Sequence, residues 1–409
     1  MNNRILFLSW DAPWPAYSGG ALRGLGLLRE LKKYFTIDLI LLTRYPLTEQ
    51  QIVKFNELAD SYIRIPLKDV QIIDKLKALF LMVFKKYPYH SAILINSLRD
   101  KHDIRKYIES YPSIVFTSCG HWGSLIYDRM ANNWILNQCD SDVEFWRVYA
   151  SHERNPFIKI FALINWILTI PHYKKIYKKV GSIISVCEED KIITSKYCPF
   201  ANIDVIENGI DCTYYIPNKE SLSKRPPRIL FTGTSAMRNI TALRWFTKKV
   251  FPMVKREVPD VELLVAGDFN IKSQKIFYRI PNINFTGRVD DIRCSFDQSD
   301  IYIAPFKDAH GSKLKIAEAM AMAMPIVSTP AGVRGFNLEN GESVFMANTS
   351  DSFASKCVEL LKDATLREKI GKAAREKALK TIDWQLLGEK INSIVNEQKR
   401  ILAIPNSIE

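Results

Sequence analysis

The stretch Pro305–Thr329, PFKDAHGSKLKIAEAMAMAMPIVST, decides how this chain folds. It follows an apolar run at Ile301–Ala304 and contains a second at Ile326–Ser328. Continuous apolar runs joined by a helical pattern, here Lys313–Met322, read as parallel strands covered on both faces. The loop before the helix carries His310, Gly311 and Ser312. A helix N-terminus presents free N–H groups and partial positive charge to an anion. Gly311 lets backbone approach closely, and Ser312 is placed to cap the helix. Lys315 adds a cation one turn in, and Glu318 offers a carboxylate that two hydroxyls can share. Loop, cations and carboxylate together fit a diphosphate and a ribose. A capped surface helix with ordinary ion pairs is the plainer alternative.

The same alternation extends in both directions. Strands are expected at Arg228–Phe231, Glu262–Ala266 and Ile283–Phe285, with helices at Ala242–Glu257 and Val289–Gln298 between them. In the first half the strands are Ile5–Ser9, Ile37–Leu42, Ile114–Thr117, Trp134–Gln138 and Ser182–Val186. Helices are expected there at Ala21–Lys33, Asn96–Glu109 and Glu188–Lys196. After Ser350 the pattern is helical through Ala354–Leu361, Leu366–Ile382 and Trp384–Leu402. Between the halves, PNKESLSKRPP at Pro217–Pro227 is polar, with prolines at both ends, which is a linker composition. The fold class is therefore α/β, with two doubly wound Rossmann-like domains facing a central cleft. Residues 1–217 form the N-terminal domain, 218–227 the linker and 228–383 the C-terminal domain. Residues 384–409 form a terminal helix expected to pack back toward the first domain.

Composition narrows the functional classes. At 409 residues, 47% hydrophobic and 25% charged, the chain is neither disordered nor polytopic in a membrane. Its net charge of +13 asks for an anionic partner: nucleic acid, lipid or a phosphorylated small molecule. Helix-turn-helix, RNA-recognition and zinc patterns are lacking, so no nucleic-acid partner is expected. The seven cysteines have no C-x-x-C spacing, which argues against a disulfide framework and favours a cytoplasmic setting. Two segments pair apolar runs with lysines, DKLKALFLMVFKK at Asp74–Lys86 and FIKIFALINWILTIPHYKKIYKK at Phe157–Lys179. Each reads either as an ordinary packed amphipathic helix or as a surface that meets anionic lipid.

Five motifs in order resemble the group 1, family 4 glycosyltransferases of the GT-B fold. They are PAYSGGALR at Pro15–Arg23, and ENGID at Glu207–Asp211 with Tyr215 and Pro217. Phe231-Thr232-Gly233 with Arg238-Asn239 is the third, and Gly287-Arg288-Val289 the fourth. GSKLKIAEAMAM followed by PIVST is the fifth. The resemblance implies a retaining enzyme that takes a hexosyl unit from a UDP- or GDP-sugar without a metal. It implies a glycan or lipid-linked acceptor at the inner face of the cytoplasmic membrane, in cell-surface polysaccharide synthesis. Arg238 and Lys315 would stabilise the leaving diphosphate, and Glu318 would hold the ribose. Gly19, Gly20 and Gly233 would let backbone approach the phosphates. Gly287, Arg288 and Val289 would face the base. His310, Gly311, Ser312, Lys313 and Leu314 would complete the donor site, and His121 would line the acceptor side.

The sequence departs from that family at two places. His310 stands where the first glutamate of E-x7-E usually contacts the donor sugar. Thr234 stands where many members have arginine, which shifts phosphate binding onto Arg238 and Lys315. A nucleotide-sugar epimerase of the same fold, or an inactive binding partner, are the competing readings. Asp140-Ser141-Asp142 has a metal-binding spacing, but reads better as a turn and helix cap. His152 is a weaker acceptor-side candidate.

Overall fold

The computed structural model describes residues 3–16, 18–67, 69–98, 102–120, 131–139, 142–153, 155–218, 225–307 and 312–403. By internal contacts the chain forms two units, Met1–Ile206 together with Leu387–Glu409, and Glu207–Leu386. Both are α/β, each built on a parallel sheet.

In the first unit the strands are β1 Arg4–Trp10, β2 Thr36–Thr43, β3 Ser61–Pro66, β4 Ile114–Thr117, β5 Trp134–Asn137, β6 Ser182–Ser185 and β7 Ile203–Val205. Their order is β3-β2-β1-β4-β5-β6-β7, all parallel. The second unit carries β8 Arg228–Thr232, β9 Glu262–Ala266, β10 Ile283–Gly287, β11 Ile301–Ala304, β12 Ile326–Ser328 and β13 Phe345–Met346. Their order is β10-β9-β8-β11-β12-β13, again parallel. In both sheets the order reverses beside the first strand, so the chain winds both ways and helices cover both faces. This is the doubly wound architecture that the apolar runs predict. β1, β4, β5, β8 and β11 are buried along almost their whole length. Leu, Ile, Val and Phe fill them because neither face meets water.

Three strands escaped the sequence reading. β3 is an edge strand whose alternate residues are exposed, and β7 and β13 are only three and two residues long. Three helices also differ, and of Val289–Gln298 only Arg293–Asp297 is helical. Asn96–Glu109 proves to be the end of Tyr89–Leu98 and the separate helix His102–Glu109. Ala242–Glu257 is interrupted, running as Met237–Trp245, a π-helical turn at Phe246–Val250, then Phe251–Glu257. Pro252 has no N–H and its ring crowds the carbonyl one turn back, so the ladder widens there.

The long helix Trp384–Ala403 belongs to the first unit from Leu387 onward. Gly388 lies against the helix Gly19–Tyr34, where a Cβ would come 2.1 Å from a Glu30 carboxylate oxygen. Gln398 donates to the Asn132 carbonyl at 2.7 Å, and Lys399 sits 4.3 Å over the Phe35 ring. Of the linker 218–227, residues 219–224 lie outside the described residues.

Candidate active site

In the second unit the strand order reverses between β8 and β11. Open α/β sheets bind ligands beyond the carboxyl ends at such a point. β8 ends in Thr232-Gly233, and β11 ends in Ala304 before the loop that leads to the helix Leu314–Ala321. Lys315 lies in the first turn of this helix and reaches back across the sheet end. Its Nζ donates to the Thr232 carbonyl at 2.7 Å and to Asn239 Oδ1 at 3.1 Å. The same ammonium lies 5.0 Å from the Phe306 ring centre and 5.3 Å from that of Phe231. Burial lowers its pKa, and the charges of Arg238 and Lys313 lower it further against the opposing field of Glu318, to about 7.

Arg238 is exposed in the first turn of Met237–Trp245. Its charge is near enough to lower the Lys315 pKa. Gly233 lies beside Lys315, where a Cβ would meet the Asn239 side chain at 3.0 Å and Lys315 Nζ at 3.3 Å. Asn239 is buried and also donates to the Thr234 carbonyl at 3.1 Å. It thus fixes both the glycine loop and the lysine.

Glu318 follows Lys315 by one helical turn. Burial raises its carboxyl to about 7, although a hydrogen bond from the Tyr215 hydroxyl (3.2 Å) and the charge of Lys315 pull the other way. A carboxyl raised this far by burial makes Glu318 a candidate functional position.

The described residues at the two ends of the loop ahead of the helix are held in place. Asn208, buried, donates to Ser312 Oγ at 2.6 Å. Ser312 therefore does not cap the helix; Lys313 occupies the cap position with no side-chain cap bond. Asn208 has taken up the hydroxyl. Lys313 is buried and donates to the Ala331 carbonyl at 3.1 Å. Thr329 donates to the Phe306 carbonyl, and Leu314 packs into the protein. At the neighbouring strand ends, Gly267 has φ +118 and Gly287 φ +68. A Cβ on Gly267 would lie 2.0 Å from the Gly233 carbonyl, so close backbone approach demands glycine there. Gly287 opens onto empty space, with Arg288 exposed and Val289 half-buried beside it.

Residues 226–363 match the family model described as Glycosyl transferases group 1. Over 378 residues, 88% of this chain and 91% of the relative, the chain is 24% identical to an uncharacterized 44.6 kDa protein in the cps region of Klebsiella pneumoniae. It is 21% identical, over 58% of its length and 68% of the relative, to the GDP-mannose-dependent monoacylated alpha-(1-6)-phosphatidylinositol monomannoside mannosyltransferase of Corynebacterium glutamicum. The solved structure of Anabaena Alr3699/HepE in complex with UDP superposes with a TM-score of 0.66 at 13% identity, covering 96% of this chain and 100% of that one. Residues 226–363 are a group 1 glycosyltransferase domain. The chain's two units have the GT-B fold.

In this glycosyltransferase several supporting residues were not singled out by sequence. Arg375 donates to the carbonyls of Tyr215 (2.7 Å), Cys212 (3.2 Å) and Ala321, tying the ENGID element to the Glu318 helix. Nothing local marks it, because its partners lie up to 163 residues away. Asn208 and Tyr215 stood in a quoted motif, but what they touch is a product of folding.

In the first unit, Gly19 and Gly20 begin the helix Gly19–Tyr34 under a Ser18 cap, both exposed, with open space where a Gly20 side chain would go. Arg23, fully buried one turn on, donates to Asn137 Oδ1 (2.8 and 3.1 Å) and to the Ile206 carbonyl (2.9 Å). It locks the end of the glycosyltransferase's first helix to β5 and to the chain after β7. His121, Asp140, Ser141, His310 and Gly311 lie outside the described residues, as do the side chains of Asp142 and His152. Among the described residues no cluster of three or more His, Cys, Asp or Glu side chains is placed to hold a metal.

Proposed function

We propose that this glycosyltransferase moves a hexosyl unit from a UDP- or GDP-sugar to a glycan or lipid-linked glycan, with retained anomeric configuration and no metal. The observation that carries the donor reading is the Lys315 ammonium held at the β8 end beside Asn239, one turn from Glu318. A diphosphate would restore full charge to Lys315, and charge on the departing diphosphate grows in the transition state, where such cations act most strongly. Glu318 would accept two ribose hydroxyls, held in place by Tyr215. Gly287, Arg288 and Val289 would face the base, and His310 the donor sugar. Gly19 and Gly20 would approach the phosphates, and His121 the acceptor. Relatives in a cps region and in glycolipid mannosylation support a polysaccharide or lipid-linked acceptor, met at the inner face of the cytoplasmic membrane.

The test is a panel of UDP- and GDP-sugars, read as release of free nucleoside diphosphate with and without added chelator. One donor should turn over, and chelator should leave its rate unchanged. Glu318→Ala should abolish nucleotide binding, while His310→Ala should alter donor preference and spare nucleotide affinity. Equal losses from both variants would overturn the assigned roles. Turnover that isomerises the free sugar nucleotide would replace transfer by epimerisation.

A further inference from the structure

The first unit leaves a large apolar surface uncovered. In the helix Ile72–Lys85, Ile72, Leu76, Phe80, Val83 and Phe84 are 56–77% exposed, while Ala78 is the side buried against the protein. At about 100° per residue these five side chains share one face, and Lys75 and Lys77 fall on its two flanks. The rings of Phe80 and Phe84 pair at 4.6 Å on the surface. The helix Pro156–Tyr177 carries a second such face, with Phe157, Ile160 and Ile167 56–81% exposed. Its opposite side, through Ala162, Asn165, Thr169 and Tyr173, is buried. The two helices belong to one platform: Asn165 Nδ2 lies 3.8 Å from Met82 Sδ, and Asn165 Oδ1 accepts from the Tyr89 backbone at 2.7 Å. Monomeric proteins rarely expose contiguous apolar patches of this extent without a partner.

Charge selects the partner. Residues 72–86 and 156–179 together hold nine lysines and one acid, Asp74. That acid is engaged at the helix start, where its carboxylate accepts from the Gln71 backbone at 3.0 Å. A second copy of this chain would bring lysines against lysines. An anionic bilayer answers both features, since acyl chains take the apolar face while headgroups meet the lysines around it. No helix among the described residues is long and apolar enough to cross a membrane. We infer that these two helices form a monotopic docking surface that inserts into the interface of an anionic membrane. Hydrophobic insertion by Phe80, Phe84 and Phe157 supplies the retention, and the lysines supply attraction. This deepens the reading of a membrane-bound acceptor and rests on it.

The experiment is flotation of the full chain with phosphatidylglycerol/phosphatidylethanolamine vesicles and with phosphatidylcholine vesicles. The wild type should float with the anionic vesicles and keep much of that binding at about 1 M salt, where lysine attraction is screened. The triple variant Phe80→Gln/Phe84→Gln/Phe157→Gln should lose binding at least about tenfold. Donor binding by that variant should persist, which shows that it is folded. Ile192→Gln, a 65% exposed apolar residue on another helix of the same unit, should float like the wild type. Replacing Lys174, Lys175, Lys178 and Lys179 with glutamine should weaken binding at low salt only. A triple variant that floats unchanged overturns the surface and leaves the membrane-bound acceptor standing. Absence of wild-type binding to every vesicle removes both. A wild-type dimer that the triple variant turns into a monomer overturns the proposal in favour of self-association.

Discussion

Lys315 and Glu318 stand one helical turn apart and both titrate near 7, the amine pushed down and the carboxyl pushed up by burial. A nucleoside-diphosphate sugar bound as proposed should reverse both shifts. Its phosphates return the amine toward about 10.4, and its ribose hydroxyls hold the carboxylate ionised, toward about 4.3. At pH 8 only about one tenth of Lys315 is charged beforehand, so binding takes up about 0.9 proton there. Glu318 is already mostly ionised at that pH and releases about 0.1. At pH 6 the roles exchange, and binding releases about 0.8 proton net. The donor association constant therefore rises about 0.8 decade per pH unit at pH 6, is flat near pH 7, and falls with about the same slope at pH 8. Nucleoside-diphosphate sugars are esterified at both ends of the diphosphate and have no phosphate titration in this range, so the protons belong to the protein. Titration calorimetry in two buffers of different ionisation enthalpy counts them directly. Lys315→Met should abolish the uptake at pH 8 and leave the release at pH 6; Glu318→Gln should do the reverse. Proton counts near zero at both pH values, or variants that leave the profile unchanged, refute the assignment of donor phosphates to Lys315 and of ribose to Glu318.

Other expectations concern the framework around the site. Gly267→Ala should destabilise the protein by about 3 kcal/mol, because it combines positive φ with a clash onto the Gly233 carbonyl, whereas Gly287→Ala, with positive φ and free space, should cost about 1 kcal/mol. Urea unfolding measures both, and equal losses would count against the close approach at Gly267. Asn208→Ala frees Ser312 and should cost about 1–2 kcal/mol in stability while raising the donor KM more than it lowers kcat. Arg23→Met leaves acceptors on Asn137 and Ile206 without their buried donor, and should lower stability by about 2–3 kcal/mol in the same urea assay. A loss below about 0.5 kcal/mol would show that water replaces it.

Apolar runs and their spacing were enough to determine the class of this fold. Strands such as Ile114–Thr117 and Ile301–Ala304 are buried on both faces, the environment that short continuous apolar runs alternating with helical patterns ask for. β3, β7 and β13 stayed hidden because an edge strand alternates, and strands of two or three residues carry too little pattern. Pro252 split a helix that periodicity alone drew as continuous. The candidate donor site was legible as a list, since Lys315 and Glu318 share a helix and Arg238 follows a glycine loop. Their residue types suit the proposed diphosphate and ribose. What only the tertiary structure decided is their environment. Lys315 is shifted because burial at the end of β8, against Phe231 and Phe306, desolvates it and Arg238 adds a like charge; of these partners all but Phe306 come from segments 76 or more residues away. Ser312 loses its capping role to a bond from Asn208, 104 residues earlier. The apolar stretches of Asp74–Lys86 and Phe157–Lys179 looked in sequence like either core or surface. Hydrophobicity says that a face must be buried, but only packing shows which face the protein covers and which it leaves for something else.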